Sequence, residues 1–203
     1  MTRTGGDERR RQLLTEAIRL FGAGGFDGTS LDQIADASGV RKQTLLYYFP
    51  TKESLFQACV DTVGSRLATE FERALEGEFA EPWNRVEAVI GVMFRLAEEW
   101  PEFPMFVREA SWQDARTVSK FAGLLEPLRM RALEFLERGM NDGVFRRQDP
   151  ALLLFTLYTA VVGSLTEAGV LRAVAGGPTG LDALKRREKE LLEFVRSALV
   201  PRP

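Results

Sequence analysis

A short run of polar and basic side chains near residue 45 has the chemistry to bind a nucleic acid. Its members are Arg41, Lys42, Gln43, Thr44, Tyr47 and Tyr48. Arginine and lysine pair with guanine in the major groove of DNA, and glutamine pairs with adenine. Hydroxyl and phenol groups contact phosphate or sugar. The run therefore offers base reading at its start and backbone contacts further along.

Two short helices and a tight turn are predicted to position this run. Ser30 is a typical N-cap for a helix over Leu31–Ala37, and Gly39 lets the chain turn without a clash at Cβ. A second helix is predicted over about Arg41–Tyr48. The positions that must pack between the helices are small or apolar, namely Ile34, Ala35, Val40, Leu45 and Phe49. With a preceding helix over about Asp7–Ala23, this is the helix-turn-helix arrangement.

The segment around the run resembles the DNA-binding domain of the TetR/AcrR family of transcriptional regulators. The resemblance covers about Leu13–Cys59 without a gap. It is carried by Leu20-Phe21, Gly25-Phe26-Asp27-Gly28-Thr29-Ser30-Leu31-Asp32-Gln33-Ile34-Ala35, Gly39-Val40, Thr44-Leu45 and Tyr47-Tyr48-Phe49-Pro50-Thr51-Lys52-Glu53-Ser54-Leu55-Phe56. The match is specific because it fixes three helices, a turn and a closing Phe-x-x-Lys-x-x-Leu-Phe pattern together.

The resemblance implies which side chains contact DNA. Base contacts would come from Arg41, Lys42 and Gln43. Backbone contacts would come from Thr29, Ser30, Thr44, Tyr47, Tyr48 and Lys52. The chain departs from the commoner family pattern at Gln43, Leu46 and Tyr48, so the operator sequence does not transfer from relatives.

Two interpretations stay open for the basic residues. Arg41 and Lys42 either contact DNA or form a solvated face. The N-terminal arginines form either a flexible arm that reaches the minor groove or an ordinary disordered basic tail. These arginines are Arg3, Arg9, Arg10 and Arg11.

Composition predicts a globular protein whose positive charge is slightly concentrated at the N-terminus. The chain has 203 residues, of which 45% are hydrophobic and 28% charged, and its net charge is −2. The first 52 residues hold eight basic and six acidic side chains, whereas the remainder holds 19 basic and 23 acidic ones. The asymmetry is small, but its direction is the one that DNA binding requires.

The chain has no histidine and one cysteine. Ser-His and Cys-His catalytic sets and Cys/His metal sites are therefore excluded. No paired carboxylates on an apolar face and no phosphate-binding glycine loop are found, so we predict no enzyme, no metal and no cofactor. Cys59 shares helical spacing with Phe56, Val60 and Val63, which predicts a core position. A single cysteine also fits the reducing cytoplasm.

Helical spacing recurs along the whole chain, so the predicted fold class is all-α. Residues 1–52 form the predicted helix-turn-helix DNA-binding domain, and a helix from Lys52 connects it to a larger domain over 53–203. Later helices are expected over about Pro82–Trp100, Glu102–Trp112, Thr117–Gly139 (with a break near Pro127) and Leu181–Val200, and one opens at Pro150. A loop is expected at Ala175–Gly180. Ala151–Thr166 is uncharged, but it is shorter than the roughly 20 residues that span a bilayer, so a buried helix is predicted.

Aromatic and methionine side chains are abundant in the larger domain. Ordinary core packing explains any one of them, whereas TetR-like proteins place a ligand cavity among these helices. The resemblance thus implies a pocket with Arg108, Glu109 and Glu126 as polar anchors. The predicted pocket residues are Met93, Phe94, Phe103, Phe106, Arg108, Trp112, Glu126, Met130, Phe155 and Tyr158.

Two apolar stripes run at helical period in the C-terminal part of the chain. They are either intramolecular core or, as the resemblance implies, an interface that pairs with its twofold copy in a four-helix bundle. The predicted interface residues are Leu152, Phe155, Thr159, Val162, Thr166, Leu184, Leu191, Val195 and Leu199.

The function that the resemblance implies is DNA-binding transcriptional regulation. We expect a homodimeric repressor that occupies a palindromic operator and leaves it when a small lipophilic ligand binds, although an activator would share these features. No membrane partner is predicted. The alternative is a helical ligand-binding or scaffold protein whose helix-turn-helix mediates protein contacts.

Overall fold

The computed structural model describes residues 3–176 and 180–201, and this part of the chain is built from ten α-helices without a strand. The helices are α1 (Arg3–Gly28), α2 (Leu31–Ala37), α3 (Lys42–Tyr48), α4 (Lys52–Leu75), α5 (Pro82–Glu99), α6 (Phe103–Ser111), α7 (Ala115–Asn141), α8 (Pro150–Thr166), α9 (Ala168–Ala175) and α10 (Leu181–Leu199). The all-α prediction is confirmed. The predicted loop at Ala175–Gly180 includes residues 177–179, which lie outside the described residues.

Helix α1 is longer than the sequence pattern predicted. It begins at Arg3 and reaches Gly28, with a kink at Gly25, whose φ of 74° departs from helical geometry. Neither interpretation left open for the N-terminal arginines, a flexible arm or a disordered tail, holds for Arg9, Arg10 and Arg11, because they lie within α1. Charge pairs along the helix, such as that of Arg11 with Glu8 at 2.7 Å, help to extend it.

The uncharged segment Ala151–Thr166 lies in one helix, as predicted, and a second short helix that the sequence did not predict follows it. Helix α8 ends at Thr166, and α9 begins at Ala168 after the cap residue Glu167. In the described part of the chain, no single helix has the length and apolarity of a membrane span. The pair Pro150–Thr166 and Ala168–Val174 reaches that length and composition only together, and it bends by 81°.

Helix α7 runs unbroken from Ala115 to Asn141 with Pro127 inside it. The expected break near Pro127 is therefore absent. The helix continues through Pro127 although proline removes one backbone hydrogen bond, and the proline lies at an exposed position.

The helices divide into two compact units. The first contains the described residues up to Arg66 together with Glu102–Leu124, and the second contains Leu67–Pro101 and the described residues from Leu125 onward. This division differs from the predicted boundary at 52/53, because α6 and the start of α7 group with the N-terminal helices. Helix α6 packs directly on α1.

The core of the first unit lies beneath the helix-turn-helix. Its fully buried side chains include Leu13, Ile18, Phe21, Ile34, Leu45, Leu55 and Phe106. The rings of Phe21 and Phe56 meet edge to face at 5.1 Å. Cys59 is fully buried here, which confirms its predicted core position. Burial raises the pKa of the Cys59 thiol well above its ordinary value, since the thiolate is disfavoured away from water.

The core of the second unit joins α5, α7, α8 and α10. Its buried side chains include Ile90, Phe94, Leu96, Leu136, Phe145, Leu153, Val161, Val162, Val195 and Leu199. Three of these, Val162, Val195 and Leu199, were predicted at the dimer interface. That prediction is wrong for these three, because the same chain already covers them.

Gly139 in α7 leaves room for the ring of Phe145 in the second unit. A Cβ atom at Gly139 would overlap Cδ2 of that ring, whereas one at Gly123 in the same helix would meet nothing within 4 Å. Phe145 is 1% exposed, so its ring has nowhere to move.

We expect Gly139→Ala to lower the free energy of unfolding by about 1–3 kcal/mol, because overpacking a filled core displaces its neighbours. Gly123→Ala is the matched control. It should leave stability unchanged or raise it by up to about 1 kcal/mol, since alanine is the better helix former. Urea denaturation followed by circular dichroism measures both. Equal stability of the two variants would contradict this account of Gly139.

Candidate nucleic-acid interface

A capping box starts α2 and fixes the entry to the helix-turn-helix. The Gln33 backbone N–H donates to Ser30 Oγ at 3.2 Å, and the Ser30 N–H donates to Gln33 Oε1 at 2.7 Å. These paired bonds satisfy two N–H groups that the first turn of a helix leaves open. The predicted N-cap role of Ser30 is confirmed.

The turn between α2 and α3 depends on Gly39. Its φ is 64°, in the left-handed region that residues with a Cβ rarely adopt. The following N–H, that of Val40, returns to the Ala35 carbonyl at 3.0 Å. The turn thus brings the start of α3 close against the end of α2.

Burial on one side of α3 presents its other side to solvent. Leu45 and Phe49 are buried, as are Ile34 and Ala35 of α2, which confirms four of the five predicted packing positions, while Val40 is half-buried. Arg41, Lys42 and Gln43 are exposed, Tyr47 is 82% exposed, and Thr44 and Tyr48 are half-buried. The polar run therefore forms one accessible surface, which we call the α3 surface.

Thr29 does not offer its side chain to a ligand. It is 4% exposed, and its hydroxyl donates to the Leu20 carbonyl at 3.0 Å within the first unit. This bond ties the segment before α2 to α1. The predicted phosphate contact by the Thr29 side chain is therefore wrong, whereas Ser30 beside it stays exposed.

Aromatic rings hold two cations in the first unit. Lys52 Nζ lies 4.3 Å from the centre of the Phe26 ring, and the Arg10 guanidinium carbon lies 5.2 Å from that of Phe49. Such contacts orient a flexible basic side chain without neutralising its charge. Sequence reasoning gave Arg10 no partner, because the contact with Phe49 joins distant parts of the chain.

Lys42, the first residue of α3, forms an ion pair with the first turn of α2. Its Nζ lies 2.8 Å from Oδ2 of Asp32, and both side chains are largely exposed. Sequence reasoning missed this pair. The available signal was a carboxylate ten residues before the lysine, on the facing helix of a helix-turn-helix.

Helix α6 supports the C-terminal end of α1. Glu109 Oε1 accepts the Phe26 N–H at 2.7 Å, next to the kink at Gly25. A Cβ on Gly22 would lie 2.9 Å from the Glu102 carbonyl oxygen, so the two helices approach at backbone distance. Glu109 was expected to anchor a ligand, but its carboxylate is committed to the backbone and to the Gln113 amide at 2.7 Å.

The predicted pocket residues are divided between the two units. Phe103, Phe106, Arg108 and Trp112 belong to the first unit, and Met93, Phe94, Glu126, Met130, Phe155 and Tyr158 to the second. Arg108 and Trp112 do share a cleft of about 250 Å³ with Met105 and the α1 glycines. A cleft of about 360 Å³ in the second unit is lined by Trp83, Glu87 and α10 residues, none of them predicted.

The predicted pocket residues differ widely in exposure and in their partners. Phe103 and Phe106 are fully buried packing residues, while Trp112 is 79% exposed. Glu126 pairs with Arg129 at 2.6 Å on the outer side of α7. The hydrogen bonds from Arg129 lower the pKa of the Glu126 carboxyl, so it stays charged and paired. It is no anchor within a cavity.

A half-buried arginine in the second unit has chemistry that sequence reasoning missed. The Arg85 guanidinium carbon lies 5.3 Å from the ring centres of both Phe79 and Phe135. Its Nε is buried and finds no hydrogen-bond acceptor among the described residues. A buried donor of this kind can bind an oxygen of a ligand or of a water molecule.

The remaining dimer predictions divide by exposure. Leu152 and Phe155 on α8 are 66% and 63% exposed, and Thr159 on the same side of the helix is exposed. Thr166, Leu184 and Leu191 are half-buried. Phe194 on α10 is 65% exposed and was missed. Large exposed apolar side chains in such number are typical of interaction surfaces.

Comparison with known proteins gives a consistent result. Residues 13–59 match the family described as "Bacterial regulatory proteins, tetR family". The regulator RutR of Escherichia coli is 26% identical over 169 residues, covering 83% of this chain and 79% of RutR. The ketosteroid transcriptional regulator KstR2 of Mycobacterium tuberculosis superposes with a TM-score of 0.77 and 20% identity, over 96% of each chain.

A further structural relative is AibR, solved in complex with isovaleryl coenzyme A and operator DNA. It has a TM-score of 0.73 and 19% identity, and the match covers 92% of this chain and 97% of AibR. Residues 13–59 thus carry a DNA-binding segment of the tetR family, and the chain is similar over most of its length to transcriptional regulators and shares the fold of TetR-type structures.

We expect substitutions of Thr29 and Thr44 to have opposite effects on stability and on DNA affinity. Thr29→Val should lower the free energy of unfolding by about 1 kcal/mol, because it removes an internal hydrogen bond, and should leave the DNA affinity of the folded protein unchanged. Thr44→Val should leave stability unchanged and weaken DNA binding about fivefold through loss of a phosphate contact. Thermal unfolding and fluorescence anisotropy measure the two effects. The assignment fails if the two variants behave alike.

Proposed function

We propose that this protein is a homodimeric repressor that binds a palindromic operator and leaves it when a small, lipophilic ligand binds. The observation that carries the DNA-binding part is the α3 surface, which is exposed because Leu45 and Phe49 hold the opposite side of the helix in the core. A protein with this function acts in the cytoplasm, where operator DNA lies.

Base reading is assigned to the exposed start of α3. Arg41, Lys42 and Gln43 are the residues that a recognition helix would place at base edges. Guanine is the expected partner of the arginine and the lysine, and adenine that of the glutamine.

Backbone contacts are assigned to side chains around α3 and at the start of α4. These are Ser30, Thr44, Tyr47, Tyr48 and Lys52. Lys52 is held at its position by the Phe26 ring, so its charge is placed in advance of binding. Such contacts fix orientation on the duplex and contribute most of the salt-dependent affinity.

Dimerisation is assigned to the exposed side of α8 with Phe194 of α10. Leu152, Phe155 and Thr159 lie three and four residues apart, which places them along one side of α8. A twofold pairing of this surface would cover them with their own copies. The pairing would also set two recognition helices about 34–36 Å apart, one turn of DNA.

We infer the class of ligand from the side chains around Arg85. It is a molecule that combines an apolar body with an anionic or carbonyl group. The Arg85 guanidinium between two phenyl rings is suited to both parts of such a molecule. The names of two structural relatives mention a ketosteroid and isovaleryl coenzyme A, which are of this kind. Release of DNA requires the ligand to favour the non-binding state, and a coupling of about 1–3 kcal/mol would weaken binding about 5- to 150-fold.

Selection of bound fragments from a random DNA pool tests operator binding. We expect enrichment of a palindrome whose half-sites lie about one helical turn apart. Lys52→Ala should then reduce the slope of log affinity against log salt by about one counterion. Lys189→Ala removes the same charge from an exposed position on α10 and should leave the slope unchanged. Affinity that is insensitive to salt, with no enriched sequence, would contradict the proposal.

Phe155→Glu tests the dimer surface. We expect it to shift the protein from dimer to monomer and to weaken operator binding at least about tenfold, because a charge would be buried against its own copy. Val174→Glu on α9 is the matched control, since Val174 is also exposed and apolar but lies outside the proposed surface. Sedimentation equilibrium measures both. A dimer that survives Phe155→Glu unchanged would show that another surface pairs.

A further inference from the structure

An acidic side chain lies beside the base-reading end of α3. Asp32 is in the first turn of α2, and its Oδ2 lies 2.8 Å from Nζ of Lys42, the first residue of α3. The side chains of Lys42 and Asp32 are 48% and 64% exposed, so both are accessible to DNA that contacts α3. A carboxylate at this place opposes binding to phosphates of the same sign.

The position has a local role that must be separated from any role on DNA. A negative charge in the first turn of a helix is favourable because of the helix dipole. Asp32 can fill that role without Lys42, and the N–H groups at the start of α2 are already capped by Ser30 and Gln33. The bond to Lys42 is an additional feature.

We propose that Asp32 is a specificity-determining residue that orients Lys42 toward a base and away from the phosphates; this inference rests on the proposed operator binding. A lysine ammonium has three N–H donors and can hold a carboxylate and the acceptors of guanine together. On the operator, Lys42 keeps Asp32 and reads the base.

Non-specific DNA does not place a matching base edge in register with Lys42. The lysine then turns to a phosphate, and the carboxylate of Asp32 is left unpaired near the DNA backbone. Exposed ion pairs are weak, so Lys42 can leave, but the repulsion between Asp32 and phosphate remains. Asp32 thus weakens binding to non-specific DNA more than binding to the operator.

Asp32→Asn tests the proposal against Asp36→Asn. Asp36 is an exposed carboxylate one turn later in α2, so the second variant makes the same change in charge. The probes are the duplex most enriched from the random pool and a scrambled duplex of the same composition. Asp32→Asn should tighten binding to the scrambled duplex about tenfold and to the enriched duplex less than about threefold. Asp36→Asn should change both affinities by one common factor.

The same substitution in a Lys42→Ala background identifies the mechanism. Without the lysine, Asp32→Asn should change both affinities equally, because only net charge then differs. Thermal unfolding checks that the variants are folded, and the affinity ratio is taken from the folded protein.

Two results would overturn the role of Asp32. The first is that the ratio of affinity for the enriched duplex to affinity for the scrambled duplex falls no further in Asp32→Asn than in Asp36→Asn. The second is that Asp32→Asn still lowers this ratio when Lys42 is replaced by alanine. Either would leave operator binding intact. If the unchanged protein prefers no sequence, the proposed function itself fails, so the two failures are distinguishable.

Discussion

The accessible surface of α3 depends on the burial of its opposite side. Leu45 is fully buried and Phe49 nearly so, and both pack on a core that includes Ile34 of α2 and Phe21 of α1. Burying one such side chain contributes about 1.5–3 kcal/mol. Because α3 has only seven residues, it could not persist alone. The polar side chains are therefore presented in a fixed orientation only because the apolar ones are held.

Three cations at or near the α3 surface are held by neighbouring side chains. Arg10 and Lys52 lie over phenyl rings, and Lys42 is paired with Asp32. A chain with a net charge of −2 cannot attract DNA through its total charge. Local placement of a few cations substitutes for it, because screening limits electrostatic attraction to about 8–10 Å at physiological salt. The positions of these charges therefore depend on the packing of the first unit.

The bounds of helix α6 depend on nearby residues, whereas its place in the fold depends on distant ones. The sequence predicted its bounds to within one residue at each end, because Trp100-Pro101 and the polar residues after Trp112 punctuate it. Its place in the first unit was not predicted. That place depends on the absence of a side chain at Gly22 and on the Glu109 bond to the Phe26 backbone, which join residues at least 80 positions apart.

The sequence by itself determined the helical class, the bounds of α2 and the polar side of α3. These follow from periodicity, capping and glycine geometry, which act over a few neighbouring residues. Only the tertiary structure decided that Val195 and Leu199 are internal while Phe155 and Phe194 are exposed, and that Lys42 meets Asp32. Periodicity shows that a helix has an apolar side but does not show which helix covers it. That choice is made by shape and distance among all the helices together.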